Sequence, residues 1–288
     1  MKTSYNIFQI DAFTSTPFLG NPAAVTFGPN LSDEQMQLIA REMNLSETAF
    51  ITASETADYK LRWFTPLVEV NLCGHATIAS LHYLNELGKI NNRNRITFET
   101  RSGILNCPVA ENEYFMQIPL MNSKEFDLPV DLASRMLNTA AEYISGKYPF
   151  LLMDNGYLYI YCSSLQRLKE MAPDFNLVSE AGRKYNFDSV CVFSDETFDS
   201  ENSAHSRFFA PLYGINEDPV TGSANGPLML VLERLGIVDK DDKLIVRIFE
   251  QGDIIGRAGR IKVSHNLETN ELYIGGSAVT ILKGELFL

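Results

Sequence analysis

The sequence predicts an α+β protein with two related domains. A strand, a loop and a helix occur twice, about half a chain apart. Residues 62–66, Arg-Trp-Phe-Thr-Pro, lead to a helix that starts at Gly74, and residues 207–211, Arg-Phe-Phe-Ala-Pro, lead to one at Gly222. The remaining chain consists mostly of short runs rich in aromatic and β-branched residues, which favour strands. A length of 288 residues accommodates two such domains of about 130 residues each.

The first half is predicted to contain a series of strands and two helices. Residues 5–13 and 23–27 favour an antiparallel pair around a turn at 20–22. Ser32 is followed by acidic residues and then by an apolar stripe, which is typical of a helix start. The second helix follows Gly74. Further strands are predicted at 49–51, 59–64, 96–100, 103–107 and 114–118.

The second half follows a polar, proline-containing stretch at 121–131 that is typical of a linker. We therefore predict a first domain at 1–121, completed by a C-terminal strand at 281–288, and a second domain at 128–280. Helices are predicted at 132–143, 164–171, 180–184 and from Gly222, and strands at 157–161, 189–193, 243–250, 260–264, 271–276 and 278–282.

Charge and composition exclude several classes of function. The net charge is −12, from 24 Lys and Arg against 36 Asp and Glu, and no basic block offsets it. This argues against nucleic acid or an anionic membrane as a partner. No segment has the apolar length of a membrane span or of a signal peptide, so we predict a cytoplasmic protein. The 4 cysteines and 4 histidines form no metal-binding motif, so we predict no metal.

The duplicated loops point to anion binding. The first N–H groups of a helix lack partners within the helix and carry partial positive charge, so the turns at Gly74 and Gly222 are candidate anion sites. If the two halves face each other, both turns address one cleft. The alternative is that each glycine merely ends a loop, but the repetition favours the functional interpretation.

Glu47 is the second feature of interest, since it places a carboxylate between a helix end and an apolar strand. It is either a solvated loop residue or a general acid/base among apolar neighbours. Asp218 has a similar ambiguity. It belongs to the segment Glu217–Pro219, which we assign to a three-residue insertion found only in the second loop, and an Asp-Pro turn is the alternative.

Together, Glu47, His75, Asp218 and Ser223 suit proton transfer at a carbon next to a stabilised anion. Hydride and phosphoryl transfer lack support, because the chain has neither GxGxxG after a strand nor GxxxxGK[ST]. The role of Cys73 has two interpretations. A thiol at a helix N-terminus can act as a base, whereas a small buried side chain has a packing role only.

Several motifs in order resemble the phenazine-biosynthesis (PhzF-like) family of isomerases over essentially the whole chain. They are Gln9–Phe13 with Gly20–Val25, Asn44–Phe50, Arg62–Pro66, Cys73–Thr77 and Glu217–Ala224. The resemblance implies a diaminopimelate-epimerase-like fold, in which two pseudo-symmetric domains each curl an antiparallel sheet around a central helix.

The resemblance also implies roles for individual residues. Glu47 matches the general acid/base, and His75, Asp218 and Ser223 match residues of the substrate pocket. We predict that His75 and Asp218 orient the substrate or relay protons, that the turns at Gly74 and Gly222 hold its carboxylate, and that Ser46 and Ser223 also bind it. No cofactor or metal is expected, and homodimers are usual in the family.

Related epimerases use one cysteine from each half. Here Cys73 occupies the first position, but Thr221 occupies the second, which argues against racemisation by two thiols. We therefore predict a cofactor-independent isomerase that moves a proton between carbons of a small carboxylate-bearing metabolite. The alternative is a non-catalytic relative that binds a metabolite or a protein.

Overall fold

The computed structural model describes residues 4–240 and 242–288 and confirms the α+β class. Its strands are β1 (Ser4–Ala12), β2 (Asn21–Phe27), β3 (Glu47–Thr52), β4 (Tyr59–Phe64), β5 (Glu69–Val70), β6 (Arg95–Thr100), β7 (Gly103–Ala110), β8 (Glu113–Ile118), β9 (Ser123–Glu125), β10 (Leu151–Met153), β11 (Tyr157–Tyr161), β12 (Ser189–Ser194), β13 (Ala204–Ala210), β14 (Ile215–Asp218), β15 (Leu244–Gln251), β16 (Gly259–Asn266), β17 (Glu271–Gly276) and β18 (Ala278–Phe287). Its α-helices are α1 (Asp33–Met43), α2 (Gly74–Glu86), α3 (Val130–Leu137), α4 (Ala141–Ile144), α5 (Leu165–Glu170), α6 (Phe175–Tyr185) and α7 (Gly222–Arg234).

The chain divides into two compact units, with the first formed by residues up to 117 together with 273–288 and the second by 118–272. Residues 273–280, which we assigned to the second domain, therefore belong to the first unit. The reason is that β17 pairs with β8, and that β18 is one continuous strand paired with β1 from Ala278 to Phe287. A strand that completes a sheet in this way cannot be divided at residue 281.

The first unit is built on the strand order β18-β1-β2-β3-β4-β6-β7, with β5 paired to one end of β4. The sheet is mixed rather than purely antiparallel, because β2 pairs with β3 and β4 with β6 in parallel. Parallel neighbours require a crossover connection. Helices α1 and α2 supply those two crossovers.

The second unit repeats this plan with the strand order β9-β10-β11-β12-β13-β15-β16. Here β11 and β12 are parallel, as are β13 and β15. Helices α5 and α6 lie between the first pair in the chain, and α7 lies between the second pair. Each unit therefore contains a mixed sheet in which a 13-residue helix connects two parallel neighbouring strands. Helix α2 connects β4 with β6, and α7 connects β13 with β15.

Helices α2 and α7 are the central helices of their units. Each has 13 residues, and in each 10 are buried. Both sequences are apolar on most faces, as expected of a helix surrounded by its own sheet. Within the described residues, no helix has the length and apolar character needed to cross a membrane.

The predicted helix at 132–143 is two helices in the structure. Asn138 ends α3 in the left-handed conformation with φ 50°, which asparagine tolerates better than most residues. A new helix, α4, starts three residues later. The predicted linker at 121–131 also contains the short strand β9, which pairs with β10.

Candidate active site

The N-terminus of α2 lies beside the first residue of β3. Glu47 begins β3 opposite Ala23 of β2, and Cys73 is the N-cap of α2. His75 connects the two, since its Nε2 lies 3.1 Å from Glu47 Oε2 and its Nδ1 lies 3.6 Å from Cys73 Sγ. The side chains of Glu47 and His75 are only 13% and 7% exposed. We call Glu47, Cys73 and His75 the acid–base cluster.

Burial and mutual contact set the charge states in this cluster. Burial raises the pKa of the Cys73 thiol to about 11, and the Glu47 carboxylate adds to the effect. Burial would lower the pKa of His75, but its contacts with Cys73 and Glu47 outweigh this and hold the pKa well above its ordinary value. The Cys73 thiol therefore stays protonated at neutral pH, and the charged partner that keeps a proton on His75 is Glu47.

This arrangement can perform proton transfer. The imidazolium balances the charge of the shielded carboxylate before it accepts a proton, and it can face the negative charge left on a bound molecule afterwards. The N–H groups at the start of α2 add partial positive charge beside it, which suits an anionic group on a bound molecule.

The N-terminus of α7 has different chemistry. Thr221 is its N-cap, and the Thr221 hydroxyl donates to Asp218 Oδ2. Gln251, at the end of β15, donates from Nε2 to the carbonyl of Asp218 at 2.8 Å and accepts from the Thr221 N–H at 3.0 Å. Asn225 donates to Gln251 Oε1 at 2.6 Å. We call Asp218, Thr221, Asn225 and Gln251 the hydroxyl–amide cluster.

Ser223 follows the α7 turn and is tied to β11 and the residues before it. Its hydroxyl lies 3.5 Å from the hydroxyl of Tyr157. Pro227 lies inside α7 and has no N–H to bond the carbonyl of Ser223, four residues earlier. The side-chain amide of Asn155 donates to that carbonyl instead, at 3.5 Å. The carbonyl that Pro227 leaves without a helix N–H is therefore bonded by the side chain of Asn155.

The two units brace their loops with equivalent ion pairs. In the first, Arg62 donates to both carboxylate oxygens of Glu69, each at 2.7 Å. In the second, Arg207 donates to both oxygens of Glu217, each at 2.8 Å. Both arginines come from the repeated motif, and both glutamates lie five residues before the glycine that opens the helix. Bidentate pairs of this kind fix geometry as well as charge.

The placement of the three-residue insertion at Glu217–Pro219 is wrong. In the first unit β4 pairs with β5 through Trp63 and Val70. In the second unit β13 pairs with β14 through Phe208 and Asp218, so Asp218 is the equivalent of Val70. The extra residues precede β14, in a single 3-10 turn that follows β13. Counting back five residues from Gly74 and Gly222 pairs Glu69 with Glu217 and gives the same alignment.

The same strand pairing identifies the equivalent of Glu47. Thr48 lies opposite Phe64, and Val190 lies opposite Phe209, so the residue equivalent to Glu47 is Ser189. Ser189 is fully buried, and its hydroxyl has no hydrogen-bond partner among the described residues. The second unit therefore has no carboxylate at this position.

The structure distributes the predicted site residues over the two helix N-termini. Glu47, Gly74 and His75 lie at α2, with Ser46 partly exposed in the bend just before β3. At α7 lie Asp218, Gly222 and Ser223.

Prediction from sequence missed Asn225, Gln251, Tyr157 and Ser189. The repeat could have found Asn225, since its counterpart Thr77 also bonds the carbonyl of the helix N-cap. Gln251 carries no such signal, because it comes from a distant strand.

A second group of ionisable side chains is structural. His205 Nδ1 lies 3.1 Å from Glu250 Oε2, and Arg260 pairs with Asp253 at 2.9 Å. The His205–Glu250 contact joins paired residues of β13 and β15. In the first unit the equivalent strand residues form the Lys60–Glu99 ion pair.

Comparison with known proteins places this geometry in context. The profile of the family described as phenazine biosynthesis-like protein matches residues 10–284. A curated relative from Clostridium acetobutylicum, described as an uncharacterized isomerase, is 37% identical over 302 residues, covering 100% of both chains.

Solved structures agree on the fold. A phenazine biosynthesis protein of the PhzF family from Bacillus anthracis matches with a TM-score of 0.92 and 29% identity, over 99% of this chain and 100% of that one. A hydroxyproline epimerase from Agrobacterium vitis, with trans-4-hydroxy-L-proline bound, matches with a TM-score of 0.65 and 12% identity, over 100% of this chain and 94% of that one. The latter likeness concerns the fold alone.

Proposed function

This chain is an isomerase of the phenazine biosynthesis-like protein family, and we propose that it moves a proton between carbons of a small carboxylate-bearing metabolite, without a cofactor. The observation that carries this proposal is the contact of Glu47 with His75 at the N-terminus of α2, 3.1 Å between Oε2 and Nε2. It joins a shielded carboxylate to a group that compensates its charge.

In the proposed reaction, one Glu47 oxygen accepts a proton from a substrate C–H bond, and the electron pair of that bond moves into the adjoining π system. The Glu47 carboxyl group then returns the proton to another carbon of the same molecule, so that atoms and charge balance. The imidazolium of His75, which its raised pKa keeps protonated, balances the Glu47 carboxylate before the transfer and the negative charge on the substrate while Glu47 holds the proton.

One base is sufficient for this reaction, and the comparison of the two units supports a single base. The positions equivalent to Glu47, Cys73 and His75 hold Ser189, Thr221 and Ser223. Hydroxyl groups of serine and threonine do not exchange protons with a carbon acid at neutral pH as a carboxylate does. The proposal is therefore a proton shift with one group acting as both base and acid.

We further propose that the backbone N–H groups at Gly74 and Gly222 bind anionic groups, with Ser46 and Ser223 as additional substrate contacts. Asp218 would accept a hydrogen bond from an amino or hydroxyl group of the substrate, since Thr221 already orients its carboxylate. A homodimer is our proposal for the assembly.

The test is hydrogen exchange in D₂O followed by NMR. The protein is incubated with a panel of small amino and hydroxy acids and cyclic carboxylates, and loss of C–H signal is recorded. Glu47→Gln should lower the exchange rate by about 10²-fold to 10⁴-fold. The matched control is Ser189→Ala at the equivalent position of the second unit, for which we expect a change below about threefold.

Two results would overturn the proposal. One is an exchange rate in Glu47→Gln equal to that of the unmodified protein. The other is saturable binding of a panel member, seen as a thermal shift, without exchange or isomerisation of that compound. The second result would support a non-catalytic binding function for this chain.

A further inference from the structure

Strand β18 forms one edge of the sheet in the first unit. It pairs with β1 from Ala278 to Phe287, and β1 is the only strand in register with it among the described residues. With 10 residues it is also the longest strand in the described part of the chain. An edge of this length presents a row of backbone N–H and C=O groups, which can pair with a further strand.

The equivalent edge of the second unit is protected, whereas that of β18 is not. Strand β9 has the place of β18 in the strand order, but it contains only 3 residues, too few for an incoming strand to pair with stably. Near the end of β18, by contrast, three large apolar side chains are exposed. They are Leu282, Phe287 and Leu288, at 49%, 62% and 45%. A long edge with exposed apolar side chains is typical of an interface.

The last part of β18 is regular, and its two faces can be assigned. After a bulge opposite Gln9 and Ile10, residues 282–287 run in continuous register with residues 4–9 of β1. Lys283 Nζ lies 2.8 Å from Glu86 Oε2 on α2, so the odd-numbered side chains of this segment lie on the α2 face. Leu286 packs on the other face, against a core cluster that includes residues of α1. Residues 283 and 285 therefore share a face, because side chains alternate along a strand.

The sequence of this segment is complementary to itself. Two copies related by a twofold axis perpendicular to the sheet pair in antiparallel fashion, and directly opposed side chains lie on the same face. The axis therefore passes through a residue, not between two. An axis through Lys283 or Glu285 places that charge opposite its own copy, which is unfavourable. An axis through Gly284 places Lys283 opposite Glu285 of the second copy, twice, and Leu282 opposite Leu286.

We propose that the free edge of β18 binds a second copy of this chain, with the twofold axis at Gly284, so that the sheets of the two first units become continuous. This inference names the surface of the homodimer proposed above; it rests on that assembly and not on the proposed proton transfer. The Lys283 side chain is 58% exposed and has three N–H donors, so it can contact Glu86 and Glu285 of the second copy together. Opposite charges select the register, and backbone hydrogen bonds join the strands.

The first experiment is sedimentation velocity on the full chain over a range of concentrations, where we expect twice the chain mass of 32.3 kDa. Charge variants are made in a Glu86→Gln background, which removes the contact of Lys283 within its own chain and should change the dimer dissociation constant by less than about threefold. Glu285→Lys then opposes lysine with lysine and should raise that constant at least about tenfold. Adding Lys283→Glu restores opposite charges and should return the constant to within about threefold of the background.

A cysteine on the twofold axis tests the register independently. Directly opposed strand residues have Cα atoms about 4.5–5.5 Å apart, which suits a disulfide. A Cβ at Gly284 would meet only Leu282 Cδ2, at 3.5 Å, so Gly284→Cys should fold. Oxidised glutathione, which takes up the two electrons and two protons of the thiols, should convert this variant to a covalent dimer. The control is Leu282→Cys, whose two copies would lie about 13 Å apart and should not crosslink. The natural cysteines are all buried.

The outcomes separate this inference from the other proposals. A monomer in the unmodified protein would overturn both the β18 interface and the homodimer. A dimer that Glu285→Lys does not weaken, or that Gly284→Cys does not crosslink, would overturn the β18 interface and leave the homodimer standing. The enzymatic proposal is tested by hydrogen exchange, which these variants should not alter, because none of the substituted residues lies at the start of α2 or α7.

Discussion

Helices α2 and α7 start from the same backbone arrangement but carry different chemistry. Each is 13 residues long, follows a loop braced by an Arg–Glu pair, and opens with glycine. At α2 the neighbouring side chains are titratable, namely Glu47, Cys73 and His75. At α7 most of the equivalent groups are neutral hydroxyls and amides, and the nearest carboxylate, Asp218, is held by Thr221.

In this protein, separate residues determine the fold and the chemistry. The Arg–Glu pairs, the opening glycines and the apolar helix faces recur in both units, and they determine where the helix starts. The side chains around that start differ at nearly every equivalent position. A duplicated scaffold can therefore assign proton transfer to one copy while the other copy keeps hydrogen-bonding groups.

The largest expected effect comes from exchanging this chemistry at one equivalent pair, His75 and Ser223. His75→Gln removes the charge that supports Glu47, so the exchange rate should fall by about 10²-fold. Ser223→Ala removes only a hydroxyl contact, so KM should rise by up to about tenfold while kcat changes little. Steady-state exchange rates measured over a range of substrate concentrations separate the two effects.

The pH profile sharpens the same test. Because the pKa of His75 is raised well above its ordinary value, the imidazolium persists as pH rises through that ordinary value. The rate in the unmodified protein should therefore show no loss between about pH 6 and about pH 8, and should fall only at higher pH. A decline centred on the ordinary histidine pKa would contradict the raised pKa of His75, and a rise of the rate through that pH would show that His75 acts in its neutral form.

Much of this arrangement could be predicted from the sequence, for identifiable reasons. The repeated Arg-aromatic-aromatic strand, the glycine turns and the apolar helices are local patterns, so their positions were readable. Glu47 and His75 were recognisable from their motifs. The contact between them was not, because it depends on the packing of α2 against β3, two elements that are separated along the chain.

The second unit was less predictable, because its site depends on contacts between distant segments. Gln251 reaches Thr221 only through the parallel pairing of β13 with β15. The prediction that Asp218 belongs to an insertion is wrong, since two loops of unequal length can be aligned in several ways. The register of β13 with β14 and the equivalent ion pairs of Glu69 and Glu217 decide among them.

The next effect in size concerns stability. Glu250 and Glu99 are equivalent strand residues, but Glu250 is fully buried and bonded to His205, whereas Glu99 is partly exposed beside Lys60. Glu250→Gln should lower the free energy of unfolding by about 3–5 kcal/mol, because it breaks a buried network. Glu99→Gln should have a much smaller effect. Urea unfolding at neutral pH measures both.

Acid unfolding provides the contradicting outcome for this pair. Burial would raise the pKa of Glu250, but hydrogen bonds from His205, Asn202 and two backbone N–H groups outweigh it and lower the pKa to about 2. A lowered pKa stabilises the fold above the ordinary value of 4.5, and that stability is lost as pH falls towards about 2. Glu250→Gln should flatten this loss. Equal pH dependence in both proteins would exclude Glu250 as its source.

The smallest effect tests whether the two central helices also end alike. Gly88 and Gly236 follow α2 and α7 with φ of 66° and 67°, a left-handed conformation that costs other residues about 1 kcal/mol or slightly more. In each case the next N–H returns to a helix carbonyl at 2.9 Å, from Lys89 to Leu84 and from Ile237 to Leu232.

A Cβ at Gly236 would meet no atom within 4 Å, and one at Gly88 would meet only the side-chain nitrogen of Asn91, at 3.4 Å. Steric contact therefore adds little at either site, and the backbone conformation determines the cost. Gly88→Ala and Gly236→Ala should each lower the free energy of unfolding by about 1 kcal/mol, and by the same amount within error. If urea unfolding gives unequal losses of unfolding free energy for the two variants, the two helices are equivalent at their starts only. Equal losses would extend the equivalence to the whole helix, leaving the chemistry around its N-terminus as the difference between them.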